Sequence, residues 1–123
     1  MNIQSAIIQG TKILKTQNIQ TAQLDTEILM AEAINEDRKY VILNQNKNLK
    51  EGNLKYFEKL IKRRASRKPI AHLINKKFFW KSEFFVTNDT LVPRPDTELI
   101  IEQILELTKN KNRMNILDIG VGS

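Results

Sequence analysis

The stretch Leu91-Val92-Pro93-Arg94-Pro95-Asp96-Thr97-Glu98, which we call the proline segment, has the most restricted backbone in the chain. Each proline fixes its own φ and has no N–H to donate, and each restricts the residue before it to extended conformations. Asp96 occupies the position of a helix N-cap, and Thr97 and Glu98 follow in the first turn. The segment is therefore predicted to be a stiff, extended lead into a helix that holds Arg94 in a fixed place.

Upstream of this segment, apolar side chains recur every three or four residues, which predicts four amphipathic helices. The first helix begins at about Ile3, and Thr21 and Asp37 are the expected N-caps of the second and third. Asn48 and Glu51 have the spacing of a capping box for the fourth. Short connections between such helices predict a small bundle. The side chains expected to be buried are Ile3, Ala6, Ile7, Ile13, Leu14, Leu24, Ile28, Leu29, Ala33, Tyr40, Val41, Leu43, Leu54, Phe57, Leu60 and Ile61.

Between the bundle and the proline segment, two aromatic runs predict a β-hairpin. Phe78-Phe79-Trp80 and Phe84-Phe85-Val86 flank Lys81-Ser82-Glu83, and a brief helical turn is expected at Ile70 to Leu73. We expect the aromatic rings to pack inward, because an isolated hairpin needs an apolar face to be stable. The alternative is a stacking platform for nucleic-acid bases beside the neighbouring lysines.

Downstream, a helix is predicted from about Asp96 to Thr108, with apolar side chains on more than one face. This pattern indicates burial between a sheet and other helices. The apolar run Asn115 to Ile119 is typical of a central parallel strand. Gly120 and Gly122 follow it, and a glycine turn at a strand's carboxyl end lets the backbone approach a cofactor closely.

Length and composition limit the possible function classes. A chain of 123 residues holds one compact domain, or a small domain and part of a second. There is no cysteine, which excludes a disulfide framework, a thiolate metal site and a cysteine nucleophile. The N-terminus does not have the pattern of a signal peptide, and no apolar run approaches the roughly 20 residues of a bilayer span. We therefore expect a cytoplasmic protein that binds neither a membrane nor a metal.

The net charge of +6 is unevenly distributed. Ten basic residues lie between Lys55 and Lys81, against the single acid Glu58, and we call this stretch the basic run. Such a surface is expected to attract RNA, the ribosome or an acidic protein surface. The alternative is a solvated helix face with no partner.

The chain also contains, in this order, Lys68-Pro69-Ile70-Ala71-His72-Leu73, Phe79-Trp80, the proline segment and Ile116-Leu117-Asp118-Ile119-Gly120-Val121-Gly122-Ser123. Together these motifs resemble the PrmC/HemK family, the S-adenosylmethionine-dependent N5-glutamine methyltransferases that modify peptide chain release factors. The proline segment is the specific part of the resemblance, whereas the glycine turn alone is weak and the upstream helices match mainly in pattern. Arg67-Lys68 stand where the family usually has Gly-Glu, and they add to the basic run.

The resemblance implies a cofactor, a partner and a chemistry. The cofactor is S-adenosyl-L-methionine in the full-length protein, and the partner is a peptide chain release factor. In the family an Asn-Pro-Pro-Tyr motif aims the glutamine amide nitrogen at the methyl group, so catalysis is mostly positioning. That motif is absent here, so no catalytic residue is assigned and the chain alone is expected to be inactive. The cofactor-binding residues implied are Thr97, Asp118, Gly120, Gly122 and Ser123, and those expected at the partner surface are Lys59, Lys62, Arg63, Arg67 and Arg94.

The expected fold is mainly α, and it divides into three parts. Residues 1–68 form the helical N-terminal domain for substrate recognition, 69–92 the β-hairpin linker, and 93–123 the start of a Rossmann-like α/β methyltransferase domain. Two alternative functions are an RNA- or ribosome-binding helical module and another protein or RNA methyltransferase of the same fold.

Overall fold

The computed structural model describes residues 1–122. It divides the chain into two compact units, Met1–Ile74 and a second unit that begins at Asn75. The first unit contains helices α1 (Ile3–Thr16), α2 (Ala22–Ile34), α3 (Arg38–Leu43), α4 (Glu51–Ala65) and α5 (Ile70–Ile74). Helices α1, α2 and α4 pack against one another, α3 packs on α2, and α5 packs on α2 and α4. The predicted helical bundle is confirmed, and the brief helical turn after Pro69 is part of it.

The core of the helical unit is aliphatic and lies where the helices face one another. Leu14, Leu29, Met30, Val41 and Leu60 are completely enclosed. Burying one such side chain contributes about 1.5–3 kcal/mol through the area removed from water. These five side chains come from α1, α2, α3 and α4 and belong to one cluster of buried residues, so the bundle has a single core.

Three side chains that were expected in the core are exposed. Ile13, Leu24 and Leu43 are 47%, 41% and 71% exposed. Leu24 points outward because the buried face of α2 carries the polar residues Asp25 to Glu27 in its place. Leu43 is the last residue of α3, a helix of six residues that buries only Val41. The apolar periodicity therefore predicted the helices correctly, but it was wrong about which side of the helix faces the core at these three positions.

The first helix begins at Ile3 as predicted, and Thr21 and Asp37 both occupy their predicted N-cap positions. Asp37 caps α3, since its carboxylate accepts a hydrogen bond from the Tyr40 N–H at 2.7 Å. Thr21 occupies the N-cap position of α2, but its hydroxyl donates to the Asp25 carboxylate at 2.9 Å and does not cap the backbone. The Thr21 hydroxyl, which the local pattern assigned to a cap, thus binds the buried Asp25 carboxylate instead.

The predicted capping box at α4 is wrong. The helix begins at Glu51, directly after Lys50, so Glu51 is the first helical residue and cannot occupy the third position. Asn48 instead forms an isolated antiparallel bridge with Asn2, next to the start of α1. Asn2 also caps α1, because its side-chain oxygen accepts from the Ser5 N–H at 2.8 Å.

The second unit contains an antiparallel hairpin of β1 (Lys76–Phe79) and β2 (Ser82–Phe85), then a 3₁₀ turn (Pro95–Thr97) that leads into α6 (Glu98–Thr108). The hairpin is confirmed, but its loop is Trp80-Lys81 and not the predicted Lys81 to Glu83. The register explains this difference, because Phe79 pairs directly with Ser82.

Several predictions for the second unit are wrong. Asp96 does not cap α6, because it lies inside the 3₁₀ turn and the helix begins two residues later. Phe78, Phe84 and Phe85 are exposed, although Phe79 and Phe84 meet edge to face at 6.3 Å. Five of the six apolar side chains of α6 are exposed as well, and they are Leu99, Ile100, Ile104, Leu105 and Leu107.

The strand expected at Asn115 to Ile119 is also absent. A parallel strand needs neighbours that satisfy its N–H and C=O groups, and no segment of residues 1–122 pairs with it. The Rossmann-like part of the expected fold is therefore not confirmed by the described residues.

Gly10 sets the distance at which α1 crosses α2 and α4. A Cβ atom at this position would lie 3.0 Å from both Phe57 Cζ and Thr26 Cγ2, and 3.1 Å from Ile61 Cδ1. These distances are tighter than ordinary carbon contacts, so a Cβ atom at this position would have to displace all three side chains by a few tenths of an ångström.

We predict that Gly10→Ala destabilises the chain by about 1–3 kcal/mol through overpacking. The matched control is Gly52→Ala, where a Cβ atom meets nothing within 4 Å. Alanine should leave stability unchanged or raise it there because of its better helix propensity. Urea unfolding followed by circular dichroism measures both variants. Equal midpoints for the two would contradict a steric role for Gly10.

Candidate functional site

Arg64, in the middle of the basic run, is used inside the bundle. Its Nε donates to the Asp25 carboxylate at 2.9 Å, and its Nη1 donates to the Lys68 carbonyl at 3.0 Å. Asp25 also accepts from the Thr21 hydroxyl. The side chains of Arg64 and Asp25 are only 19% and 7% exposed. This arginine therefore joins α4 to α2 and to the connection before α5, and its charge is neutralised by a nearly buried acid.

Arg67 is also engaged within the helical unit, although it is exposed. Its backbone is left-handed, with φ of 71°, and its Nη2 donates to the Gln17 carbonyl at 2.7 Å. Gln17 is the C-cap residue of α1, where carbonyl groups lack helical partners and attract cations. The guanidinium thus ties the end of α4 to the end of α1, and the expected role of Arg67 at a partner surface stays a prediction.

Lys59 and Lys62 are exposed cations of α4, and the exposed acid Glu58 lies next to Lys59 on the same helix. The two lysines lie three residues apart, so they are neighbours on the helix surface. No ion pair involves either of them in the described part of the chain, whereas Lys55 pairs with Glu51 at 2.9 Å. Arg63 is half-buried beside them. The electropositive surface of α4 is therefore narrower than the basic run and centres on this lysine pair.

An apolar groove of about 380 Å³ lies between α1 and α4, and its charged lining residues are Lys62 and Glu58. Ile13 lines it from α1, Phe57 and Ile61 line it from α4, and Lys62 contributes to the same lining. An apolar groove beside a positive charge suits an amphipathic protein segment with acidic residues. The sequence analysis did not find this groove, because Ile13 was assigned to the core together with Phe57 and Ile61. The structure buries Phe57 and Ile61 as predicted but leaves Ile13 47% exposed at the groove.

Arg94 and Thr97 lie together in the second unit. Arg94 is extended and exposed immediately before the 3₁₀ turn, and its carbonyl accepts from the Thr97 N–H at 3.1 Å. Thr97 is exposed and precedes α6. Arg94 thus has the extended backbone that a following proline imposes, whereas the proline segment turns into a 3₁₀ conformation from Pro95 onward.

The predicted cofactor residues after α6 lie on exposed chain outside any helix or strand. Asp118, Gly120 and Gly122 are exposed, and both glycines are left-handed, with φ of 73° and 75°. A Cβ atom at either glycine would meet nothing within 4 Å, so the backbone conformation alone favours glycine here. Ser123, the fifth predicted cofactor residue, lies outside the described residues.

Comparison with known protein families identifies the helical unit. Residues 5–74 match the PrmC N-terminal domain. The match covers more than half of the chain, and it ends at the residue where the helical unit ends. The chain belongs to this family.

Curated relatives are similar to this chain both within the PrmC N-terminal domain and in the residues after it. A release factor glutamine methyltransferase of Clostridium botulinum is 32% identical over 123 residues, which is all of this chain and 44% of the relative. One from Buchnera aphidicola is 39% identical over 111 residues, 90% of this chain and 39% of the relative. One from Shewanella oneidensis is 36% identical over 116 residues, 94% and 40% respectively. The chain thus spans less than half the length of these curated relatives.

Within residues 1–122, no helix combines the length and apolar character that a bilayer span requires. The same residues contain no group of three or more His, Cys, Asp or Glu side chains that could hold a metal ion.

The ion pair between Arg64 and Asp25 was missed because neither residue is unusual in its own helix. A signal was present on α2, since Asp25 has the helical spacing of the buried residues Ala22 and Leu29. An acid on an apolar stripe requires a partner. Which basic residue provides it depends on how α4 crosses α2, and the sequence does not specify that crossing.

We predict that Arg64→Ala destabilises this PrmC N-terminal domain by about 3 kcal/mol, because it leaves the Asp25 carboxylate buried without its partner. Lys55→Ala is the matched control on the same helix, and its exposed pair should contribute little. Denaturant unfolding at moderate salt compares the two. If both variants lowered the free energy of unfolding by the same small amount, the pair between Arg64 and Asp25 would behave as a solvent-exposed ion pair, which would contradict the prediction.

Proposed function

We propose that this chain is the N-terminal part of an enzyme that methylates the side-chain amide nitrogen (N5) of a glutamine in peptide chain release factors. The observation that carries the proposal is the PrmC N-terminal domain match, joined to relatives named release factor glutamine methyltransferase that align beyond it. The whole enzyme would use S-adenosyl-L-methionine and act in the cytoplasm. Residues 1–68 would form the recognition domain, 69–92 a linker, and 93–123 the start of the methyltransferase domain.

In this proposal the helical unit recognises the release factor. Lys59 and Lys62 would attract acidic residues and so raise the rate of encounter. The groove between α1 and α4 would then accept apolar side chains of the same partner. Arg63, Arg67 and Arg94 remain proposed partner residues, with Arg67 the least available because it already donates to Gln17.

The proposed cofactor residues are Thr97, Asp118, Gly120, Gly122 and Ser123. The left-handed, side-chain-free backbone at the two glycines is compatible with a close approach to an adenosyl group. The carboxylate of Asp118 and the hydroxyl of Thr97 offer polar contacts. When bound, S-adenosyl-L-methionine supplies an electrophilic methyl group on its sulfonium.

The acceptor nitrogen explains why such an enzyme needs a recognition domain. An amide nitrogen is a poor nucleophile, because its lone pair is delocalised into the carbonyl. The rate then depends on holding this nitrogen in line with the methyl group and away from water. The proposed contribution of this chain is binding and orientation, and we assign it no catalytic residue.

The exposed apolar side chains of α6 support the assignment of residues after Pro93 to a larger α/β domain. Leu99, Leu105 and Leu107 are 60%, 51% and 74% exposed on this one helix. Large apolar side chains exposed in this number on one helix favour a contact with other protein. The parallel sheet of a Rossmann-like domain would cover such a helix.

We predict that the double variant Lys59→Glu, Lys62→Glu slows association of the chain with a release factor about tenfold at low salt, with a smaller change in dissociation. The control, Lys12→Glu with Lys39→Glu, makes the same change in net charge at exposed positions on α1 and α3. Stopped-flow binding with a labelled release factor at two ionic strengths measures the effect.

Equal association rates for the two double variants would contradict the lysine-pair surface. A parallel titration with RNA tests the alternative of an RNA- or ribosome-binding module. Tight RNA binding with an affinity that falls steeply with salt, and no binding of the release factor, would favour that alternative.

We also predict that the 123-residue chain binds S-adenosyl-L-methionine with a Kd weaker than about 1 mM. Asp118, Gly120 and Gly122 are exposed, and no strand supports the glycine turn in the described structure. Isothermal titration calorimetry decides this. Micromolar binding would mean that the proposed cofactor site is misplaced or already complete in this chain.

A further inference from the structure

The loop of the hairpin has an unusual backbone for its sequence. Trp80 and Lys81 both have positive φ, 45° and 63°. Two-residue hairpin loops with positive φ at both positions favour Asn-Gly or Gly-Gly, because L-residues with larger side chains are strained there. Such strain persists only where surrounding contacts hold the backbone in place. The Trp80-Lys81 loop therefore requires a stabilising contact.

Glu98 provides one. Its Oε1 accepts a hydrogen bond from the Trp80 N–H at 3.0 Å, across 18 residues of sequence. Phe79 and Ser82 form the last pair of the ladder, so the Trp80 N–H lies beyond the strand pairing. A second contact lies within the loop, where Lys81 Nζ sits 5.7 Å from the centroid of the Trp80 ring.

An acidic residue in the first turn of a helix usually stabilises that helix through its free N–H groups. Glu98 is the first residue of α6, yet neither the 3₁₀ turn nor α6 has a side-chain cap. The carboxylate that the proline segment places at the start of the helix is directed instead to the hairpin loop.

We propose that Glu98 is a positioning residue that fastens the Trp80-Lys81 loop to the proline segment. Through this bond the hairpin tip and the start of α6 keep one relative position, and the loop is held in its strained conformation. Arg94 and Glu98 are the N-cap and C-cap of the 3₁₀ turn that contains Thr97, so the three residues share one short element. This inference concerns the chain by itself and does not rest on the proposed methyltransferase activity.

The test uses the single tryptophan of the chain, which is Trp80. In Glu98→Ala we expect amide hydrogen exchange at Trp80 to become about tenfold faster, because a hydrogen bond to a charged acceptor is lost. The fluorescence anisotropy of the indole should fall at the same time. Glu98→Gln keeps a carbonyl oxygen at the same position and should retain most of the protection. Glu102→Ala, one turn later on the exposed surface of α6, is the matched control and should behave as the parent.

A second pair of variants tests the strain. In Glu98→Ala the strained loop should also open more often, so exchange at the strand amides of Phe79 and Ser82 should become faster than in the parent. Glycine adopts positive φ without cost, so adding Lys81→Gly to Glu98→Ala should slow exchange at these two amides again. Circular dichroism of the helical unit verifies that each variant is folded. The proposal would be overturned if Glu98→Ala and Glu102→Ala showed the same hydrogen-exchange rate at Trp80 and the same indole anisotropy. The role assigned to loop strain would be overturned if Lys81→Gly did not slow exchange at the amides of Phe79 and Ser82.

Discussion

The helical unit depends on the ion pair that joins Arg64 of α4 to Asp25 of α2. Both groups are largely removed from water, so each needs the other, and the alignment of the two helices has to satisfy a fixed guanidinium–carboxylate geometry. Hydrophobic burial supplies the driving force for packing, but it has no direction. A buried charge pair has direction, because another helix register would leave an acid in the core without a partner. We regard this contact as a constraint on how the bundle packs more than as a source of net stability.

This constraint also determines which charges are available for binding. The basic run has ten basic residues and one acid in the sequence, but its basic members make different contacts in the fold. Arg64 neutralises a core acid, Arg67 donates to the carbonyl end of α1, and Lys59 and Lys62 face solvent, with Lys62 at the apolar groove. A surface that combines two lysines with apolar side chains fits a protein partner better than a phosphate backbone, which would favour a wider positive surface. The release-factor proposal draws on this difference.

Gly10 and the hairpin loop differ in how residue size matches backbone conformation. At Gly10 the missing side chain lets three helices approach, so a small residue serves the core. At Trp80-Lys81 the loop has large side chains in a conformation that suits glycine, and a distant carboxylate holds it. The first solution suits a closely packed helical core. The second makes the hairpin and the proline segment depend on each other, although they are separate in sequence.

The sequence by itself determined the helices of the N-terminal unit, the hairpin and the stiff proline segment, because each rests on local rules: apolar periodicity, aromatic runs and the geometry of proline. It also indicated the family, which the match over residues 5–74 supports. Only the tertiary structure decided that Leu24 faces solvent while Asp25 is buried, that Arg64 is internal, and that Glu98 bonds to Trp80 and not to its own helix. These contacts join residues 18 to 39 positions apart, and their existence depends on crossing angles and strand register that no local pattern specifies. For the same reason the apolar run Asn115 to Ile119 predicted a strand that the described residues do not form: a strand is a property of its neighbours as much as of its own sequence.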